Sequence, residues 1–188
     1  MAQAEQAGRA DAGCWGPEPG ADPLVLTAWT ALAGVMDPEI PVLSVVDLGI
    51  VRSVERLDDG AGDGRCDGRL AVTVTPTYSG CPATGVIVLE VETALARAGL
   101  DATVRVVIAP PWTTDWISDT GRAKLAEVGI VPPPAAGKRA LTAPLEAIAC
   151  PLCGSTDTAQ ISRFGSTACK ALHRCNACLE PFDVFKCH

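Results

Sequence analysis

Leu70-Ala71-Val72-Thr73-Val74-Thr75, then Pro76-Thr77-Tyr78-Ser79-Gly80-Cys81-Pro82, then the run from Ala83 to Ala98: these three pieces stand end to end and decide how the chain folds. The first alternates, with the period of a half-buried strand. The last repeats Ile87, Val91, Ala94, Leu95 and Ala98 at helical spacing, and Gly99 stops it. Between them lies a strand-to-helix turn. Pro82 suits a first helical position, where its missing N–H costs nothing, which makes Cys81 the expected N-cap. A thiol there meets free backbone N–H groups and the positive end of the helix dipole, and both favour the thiolate. Gly80 lets a ligand or another backbone come close. Two readings of Cys81 stay open at this point: a reactive or metal-binding thiolate, or a buried, inert cysteine at a tight turn.

Outward from this core, Leu24 to Val35 reads as a helix that ends before Asp37-Pro38, because a residue preceding proline is biased out of the helical region. Ile50 to Leu57 reads as a strand and residues 58–68 as a Gly- and Asp-rich hairpin loop that holds Cys66. No Glu closes a twelve-residue calcium pattern in that loop. Thr103 to Ala109 is a further strand, and Asp119 to Val128 a last helix that stops at Gly129. Two strands joined through a helix make a parallel, right-handed crossover. The expected fold class is α/β (α+β): a small mixed sheet in an α-β-β-α-β-α domain over residues 23–131, after a disordered tail at 1–22 that includes Cys14 and Trp15. Ile130-Val131-Pro132-Pro133-Pro134 begins a Pro-rich linker over 132–149 that marks a domain boundary and is expected to let the two parts separate.

Parallel neighbours bring their C-terminal ends to one sheet edge, where open α/β sheets bind ligands. Cys81 should therefore neighbour Trp112-Thr113-Thr114-Asp115-Trp116. Trp112 reads as core cover, whereas Thr114 and Asp115 are site candidates, as is Thr77. Asp37, Glu39 and Asp47 either bind a metal or hold turns, and Asp before Pro or before Leu-Gly is ordinary turn chemistry.

The balance of the chain excludes several classes. With a net charge of −7 it is a poor partner for nucleic acid or an anionic membrane. No apolar run approaches the roughly 20 residues of a membrane span, and no secretory leader is apparent. Both histidines, His173 and His188, lie near the C-terminus, so neither a Cys–His dyad nor a Ser–His–Asp triad can form within residues 1–172. Gly-rich nucleotide motifs are absent, and so is any Glu-x-x-His of a di-iron bundle. Nine cysteines, four of them in two C-x-x-C pairs, point to metal ligation in a reducing cytoplasm rather than to disulfides.

The pairs are Cys150-Pro151-Leu152-Cys153-Gly154 and Cys175-Asn176-Ala177-Cys178-Leu179. Two such turns can close a tetrahedron of thiolates around zinc. Gly154 frees the first turn to point N–H groups at sulfur; Leu179 stands at the equivalent place in the second and is less suited. A module of about forty residues rarely folds without such a staple, so residues 150–188 are expected to form a zinc β-ribbon. Cys169, Cys187, His173 and His188 are left over, as spare ligands, a second site or structure. Charges in the module nearly balance, which suits a protein partner better than nucleic acid.

Taken together, Asp37-Pro38-Glu39, Asp47-Leu48-Gly49 and Thr77 to Pro82 resemble the small α/β domain of cytosolic iron–sulfur assembly factors. The whole chain, with Phe164-Gly165-Ser166-Thr167, Cys169-Lys170 and Glu180-Pro181-Phe182 in a cysteine-rich tail, resembles the D-subunit family of the bacterial phenylacetyl-CoA epoxidase system. The resemblance implies a cytoplasmic accessory protein of aerobic phenylacetate breakdown, not itself the oxygenating enzyme. It would help mature or maintain iron–sulfur or di-iron centres of other epoxidase subunits, the iron–sulfur reductase subunit among them, with a transient cluster or iron as cargo. It also implies that Cys81 is the reactive or cluster-handling thiol. A scaffolding subunit and a thiol-redox protein using a second cysteine from the tail are the alternatives. Oligomerisation is compatible with all three.

Overall fold

The computed structural model describes residues 16–57, 68–78, 80–134 and 148–186. Expectations for Cys14, Trp15, Ser79, Cys66 and its loop, the stretch 135–147, Cys187 and His188 fall outside these residues. The order is α1 (Pro23–Leu32), β1 (Val51–Arg56), β2 (Leu70–Val74), α2 (Thr84–Arg97), β3 (Ala102–Val106), a 3-10 turn (Thr114–Trp116) and α3 (Asp119–Glu127). Three ribbon strands follow: β4 (Thr158–Ser162), β5 (Lys170–Cys175) and β6 (Pro181–Phe185). This is the expected α-β-β-α-β-α arrangement with a small mixed sheet, joined to a three-stranded ribbon.

β2 is the middle strand, antiparallel to β1 and parallel to β3. Its residues Leu70, Ala71, Val72 and Val74 are buried. α1 buries Val25, Ala28, Trp29 and Leu32, and α2 buries Ile87, Val91 and Leu95. The two helices pack on each other, α1 also on β1 and α2 on β3. Asp22, at the end of the expected tail, is the N-cap of α1: it accepts the Leu24 N–H at 2.8 Å and pairs with Arg56 at 2.7 Å. α1 ends at Leu32, sooner than the periodicity suggests. Gly34 and Val35 donate to the carbonyls of Ala31 and Leu32, a tighter turn that prepares the exit to Asp37-Pro38. Among the described residues no helix is long and apolar enough to cross a membrane.

The ribbon is an antiparallel sheet, β4-β5-β6, and it packs against the first domain. Phe185, 1% exposed, and Cys169 belong to the same core as α1, β2 and Trp112. The Trp112 and Phe185 ring centroids are 6.1 Å apart. Val131 pairs with β6: its N–H donates to the Asp183 carbonyl and its carbonyl accepts from Phe185 N, both at 2.9 Å. Arg122 donates to the carbonyls of Pro133 and Pro134. The start of the expected separating linker is thus held by both modules, which share a core.

Candidate functional site

The residues after β2 build the candidate site. Cys81 donates its N–H to the Tyr78 carbonyl at 3.0 Å. Its own carbonyl accepts from the Thr84 N–H at 3.2 Å and the Thr84 hydroxyl at 2.9 Å. That turn delays the helix. α2 begins at Thr84 with Ala83 as its N-cap and no side-chain cap, so Cys81 is not the N-cap the sequence suggested. The expected pull towards thiolate fails with it. Cys81 is half-buried, and burial pushes its thiol up; the Ala83 N–H opposes this, but the charges of Glu39 and Asp37 push the same way.

Asp37 is buried and shapes the turn that carries those charges. Its Oδ1 accepts the N–H groups of Glu39 at 2.9 Å and Ile40 at 2.8 Å, while its own N–H donates to the Leu43 carbonyl. Burial raises its carboxyl despite these two bonds. Glu39 is half-buried on the same turn. Asp47 is a structural clamp. Oδ2 accepts from the Ser44 N–H at 3.0 Å, the Ser44 hydroxyl at 2.9 Å and Lys124 Nζ at 2.6 Å. Burial acts to raise this carboxyl, but Lys124 and Ser44 together hold it below the ordinary value. The clamp ties the Asp47-Leu48-Gly49 turn to α3, whose Gly121 lies so close that a Cβ there would meet the Asp47 carbonyl at 3.0 Å.

Among the described residues Cys81 belongs to no group of three or more His, Cys, Asp or Glu whose ligand atoms lie within 4.8 Å of one another. Thr114 is buried, and its carbonyl accepts from Arg122 Nη2 at 2.6 Å. Asp115 is exposed on the 3-10 turn, and Thr77 is half-buried in the loop before Cys81. Trp112 is core, as expected, with its Nε1–H donating to the Leu48 carbonyl at 2.8 Å. Among the described residues, one group of three or more His, Cys, Asp or Glu places its ligand atoms within 4.8 Å of one another: Cys150, Cys153, Cys175 and Cys178.

That group is a metal-binding site. The Cys150–Cys178 and Cys153–Cys175 sulfur pairs are 3.7 and 3.6 Å apart. A tetrahedron with metal–sulfur bonds of about 2.3 Å has edges of about 3.8 Å, so the four sulfurs fit. Both turns have the same backbone. Gly154 N donates to the Cys150 carbonyl and Leu179 N to the Cys175 carbonyl; Cys150 N donates to Ser155 O and Cys175 N to Glu180 O. Gly154 has φ 74° and Leu179 has φ 67°, so Leu179 adopts the left-handed conformation that a leucine disfavours by roughly 1–2 kcal/mol. The thiols differ. The Cys178 N–H, ahead of that of Ala177, holds Cys175 down at about 6. The Glu180 N–H draws Cys178 down, but desolvation and the neighbouring sulfurs push it up to about 12. A metal must therefore displace protons to bind.

Sequence reasoning left Cys169 without a role. It is buried at the foot of β5, its sulfur 3.0 Å from the Thr167 hydroxyl. Burial raises its thiol, and the charges of Glu39 and Asp37, the same two that act on Cys81, raise it further. Next to it Lys170, 6% exposed, pairs with Asp183 at 3.5 Å, and its charge reaches Asp37. No local pattern reveals the burial of Cys169, because the core it joins spans the two modules.

Comparison with known proteins follows the same division. The family Iron-sulfur cluster assembly protein matches residues 27–107, and the family PaaD zinc beta ribbon domain matches residues 134–186. An Escherichia coli (strain K12) protein, provisionally named as the D subunit of 1,2-phenylacetyl-CoA epoxidase, is 44% identical over 169 residues, 89% of this chain and 95% of that protein. The Fe-S protein maturation auxiliary factor YitW of Bacillus subtilis (strain 168) is 41% identical over 90 residues, 47% of this chain and 79% of its own length. A crystal structure of a DUF59 domain from Bacillus anthracis is 30% identical with a TM-score of 0.45, covering 52% of this chain and 87% of that one. With an iron–sulfur-assembly domain in front of a four-cysteine zinc-ribbon domain, and this likeness along almost its whole length, the chain belongs to the family of phenylacetyl-CoA epoxidase D subunits.

Proposed function

We propose that this protein is a cytoplasmic accessory subunit of a phenylacetyl-CoA epoxidase system. It assists the maturation or maintenance of iron–sulfur or di-iron centres in partner subunits, the iron–sulfur reductase subunit among them, with Cys81 as the metal- or cluster-handling thiol. The setting of Cys81 carries the reading: a partly exposed thiol on the β2–α2 turn of an assembly-type domain, within electrostatic reach of Asp37 and Glu39. Negative neighbours penalise a free thiolate nucleophile, yet they favour a thiolate neutralised by a cation. This weighs for metal handling and against a thiol-redox enzyme. In the ribbon, Cys150, Cys153, Cys175 and Cys178 hold zinc in a closed four-thiolate site, which stabilises the fold and leaves no open position for chemistry.

Cys81→Ser tests the reading. The side chain is half-buried and caps no helix, so the variant should fold and lose only about 1 kcal/mol. Oxygenase and reductase subunits co-produced with it should be poorer in iron or clusters, and growth on phenylacetate should slow. Unchanged partner iron, cluster content and growth would favour a scaffolding subunit instead.

A further inference from the structure

The two cysteine turns close with the same hydrogen bonds, but only one carries the residue its backbone prefers. Gly154 takes φ 74° in the first turn. Leu179 takes φ 67° in the second, where a Cβ is unfavourable. Packing within the chain does little to offset that strain, because Leu179 is 66% exposed. A side chain that strains its own turn and stands in solvent points to a contact outside the chain. Leu152 matches it in the first turn: it precedes Cys153 as Leu179 follows Cys178, and it is 67% exposed. The sulfurs of Cys153 and Cys178 belong to one group within 4.8 Å, so both leucines stand beside the same metal site. Pro151, Ala177 and Pro181 are exposed around them. Pro151 and Leu152 also wall a cleft of about 440 Å³, which Val128, Ile130 and Pro181 line on other sides. Charge at this end of the ribbon is negative. Asp157 and Glu180 are exposed beside the turns, and Arg174 is the one basic residue in 148–157 and 174–181. Zinc held by four thiolates adds an excess of two negative charges, since a 2+ ion meets four S⁻. The other described basic residues of the ribbon lie elsewhere: Lys186 Nζ donates to the Arg163 carbonyl just after β4, and buried Lys170 pairs with Asp183.

We propose that the cysteine-turn end of the ribbon, with Leu152 and Leu179 as its apolar contacts, is the docking surface for a partner subunit of the epoxidase system, and that the docked segment presents an apolar side chain flanked by Lys or Arg. The inference rests on the accessory-subunit reading and adds the surface by which the protein holds its partner. Burial of the two leucines supplies affinity, and the negative surround selects a basic segment. A second copy of this chain is a poor occupant, because its own net charge is −7. The strained turn at Leu179 places an apolar side chain at this surface where glycine would leave none.

The test uses the full zinc-loaded chain and purified oxygenase and reductase subunits. Affinity is measured by calorimetry, with urea unfolding and zinc content followed on the same samples. One of the subunits should bind the parent chain. Leu179→Gly should keep its zinc and unfold at a urea concentration no lower than the parent, yet bind that subunit about tenfold or more weakly. Leu152→Ser, a change at an exposed position, should also keep its fold and weaken binding to a similar degree. Glu180→Lys should weaken binding by several-fold, as should raising the salt from about 0.05 to about 0.3 M. A Leu179→Gly variant that loses zinc or unfolds earlier would show that the leucine serves the ribbon's own fold and would overturn the proposal. So would full-strength binding by both leucine variants, or tighter binding by Glu180→Lys. Self-association of the parent that Leu179→Gly abolishes would assign the surface to a second copy instead. If the leucine variants bind normally while Cys81→Ser still lowers partner iron, the docking surface falls and the maturation role stands. If they bind weakly while Cys81→Ser leaves partner iron unchanged, the surface stands and the maturation role falls. If no subunit binds the parent chain, the accessory-subunit reading falls together with the surface.

Discussion

Phe185→Ala should uncouple the ribbon from the assembly domain without unfolding either. Phe185 is 1% exposed, lies 6.1 Å from the Trp112 ring centroid, and belongs to the core built around α1, β2 and α2. The ribbon has its own small cluster of Cys150, Cys175 and Phe182, next to the four-sulfur site. Truncating a buried phenylalanine costs about 3–5 kcal/mol, including the cavity and the lost ring pair. The loss falls on the seam, so it should appear as undocking of β6 from Val131 and Trp112. About 3 kcal/mol is a little over two factors of ten in an equilibrium. Alkylation of Cys169, which is 7% exposed and needs the seam to open, should therefore speed up by roughly a hundredfold. Bound metal should stay near the wild-type level, because all four ligands lie within the ribbon. The assay is iodoacetamide labelling followed by peptide mass mapping, with metal analysis and urea unfolding on the same samples. A variant within about 1 kcal/mol of wild type, with an unchanged Cys169 rate, would refute the claim that this core joins the modules.

Asp47→Ala should lose about 2–3 kcal/mol, mostly because the buried Ser44 N–H loses its acceptor; the half-exposed Lys124 pair adds only about 0–1 kcal/mol. Asp47→Asn retains an oxygen for Ser44 and should lose about 1 kcal/mol at pH 7. The wild-type carboxyl sits below 3.8, so its contribution is present above pH 3.8 and is lost as pH falls through the folded value; the gap between wild type and Asn should close there. Equal urea midpoints for the Ala and Asn variants would count against the clamp. Cys150→Ser should abolish tight metal binding and melt the ribbon, with about one zinc per chain in the parent; stoichiometric iron without zinc by elemental analysis would contradict the ribbon assignment.

Much of this protein was legible from its sequence because the deciding signals are local. The alternation at Leu70 to Thr75 and the helical spacing after Ala83 fix a strand and a helix, and that pair implies a parallel crossover. Two C-x-x-C turns announce a four-thiolate site whatever surrounds them, because ligand spacing within each turn is set by a few backbone bonds. Even Leu179, which looked unsuited, adopts the conformation that Gly154 takes with ease, since the second turn is closed by the same hydrogen bonds as the first.

Contacts distant in the chain decide the rest. Cys81 looked like a helix cap because Pro82 is a good first residue, but the bonds from Thr84 back to the Cys81 carbonyl extend the turn and start α2 later. Asp37 and Asp47 looked alike as turn carboxylates. Packing separates them: Lys124 from α3 reaches Asp47 and makes it a clamp, whereas Asp37 stays buried and holds the N–H groups of its own turn, Glu39 and Ile40. Nor does anything near Cys169 or Phe185 point to a second domain. Burial of Phe185 beside Trp112, and strand pairing across Val131, bring the ribbon onto the assembly domain. Local pattern suffices for the elements and the four-sulfur site. That the leftover Cys169 is buried in a core shared with the assembly domain follows from the docking of the two modules, because hydrophobic burial is a property of the folded whole.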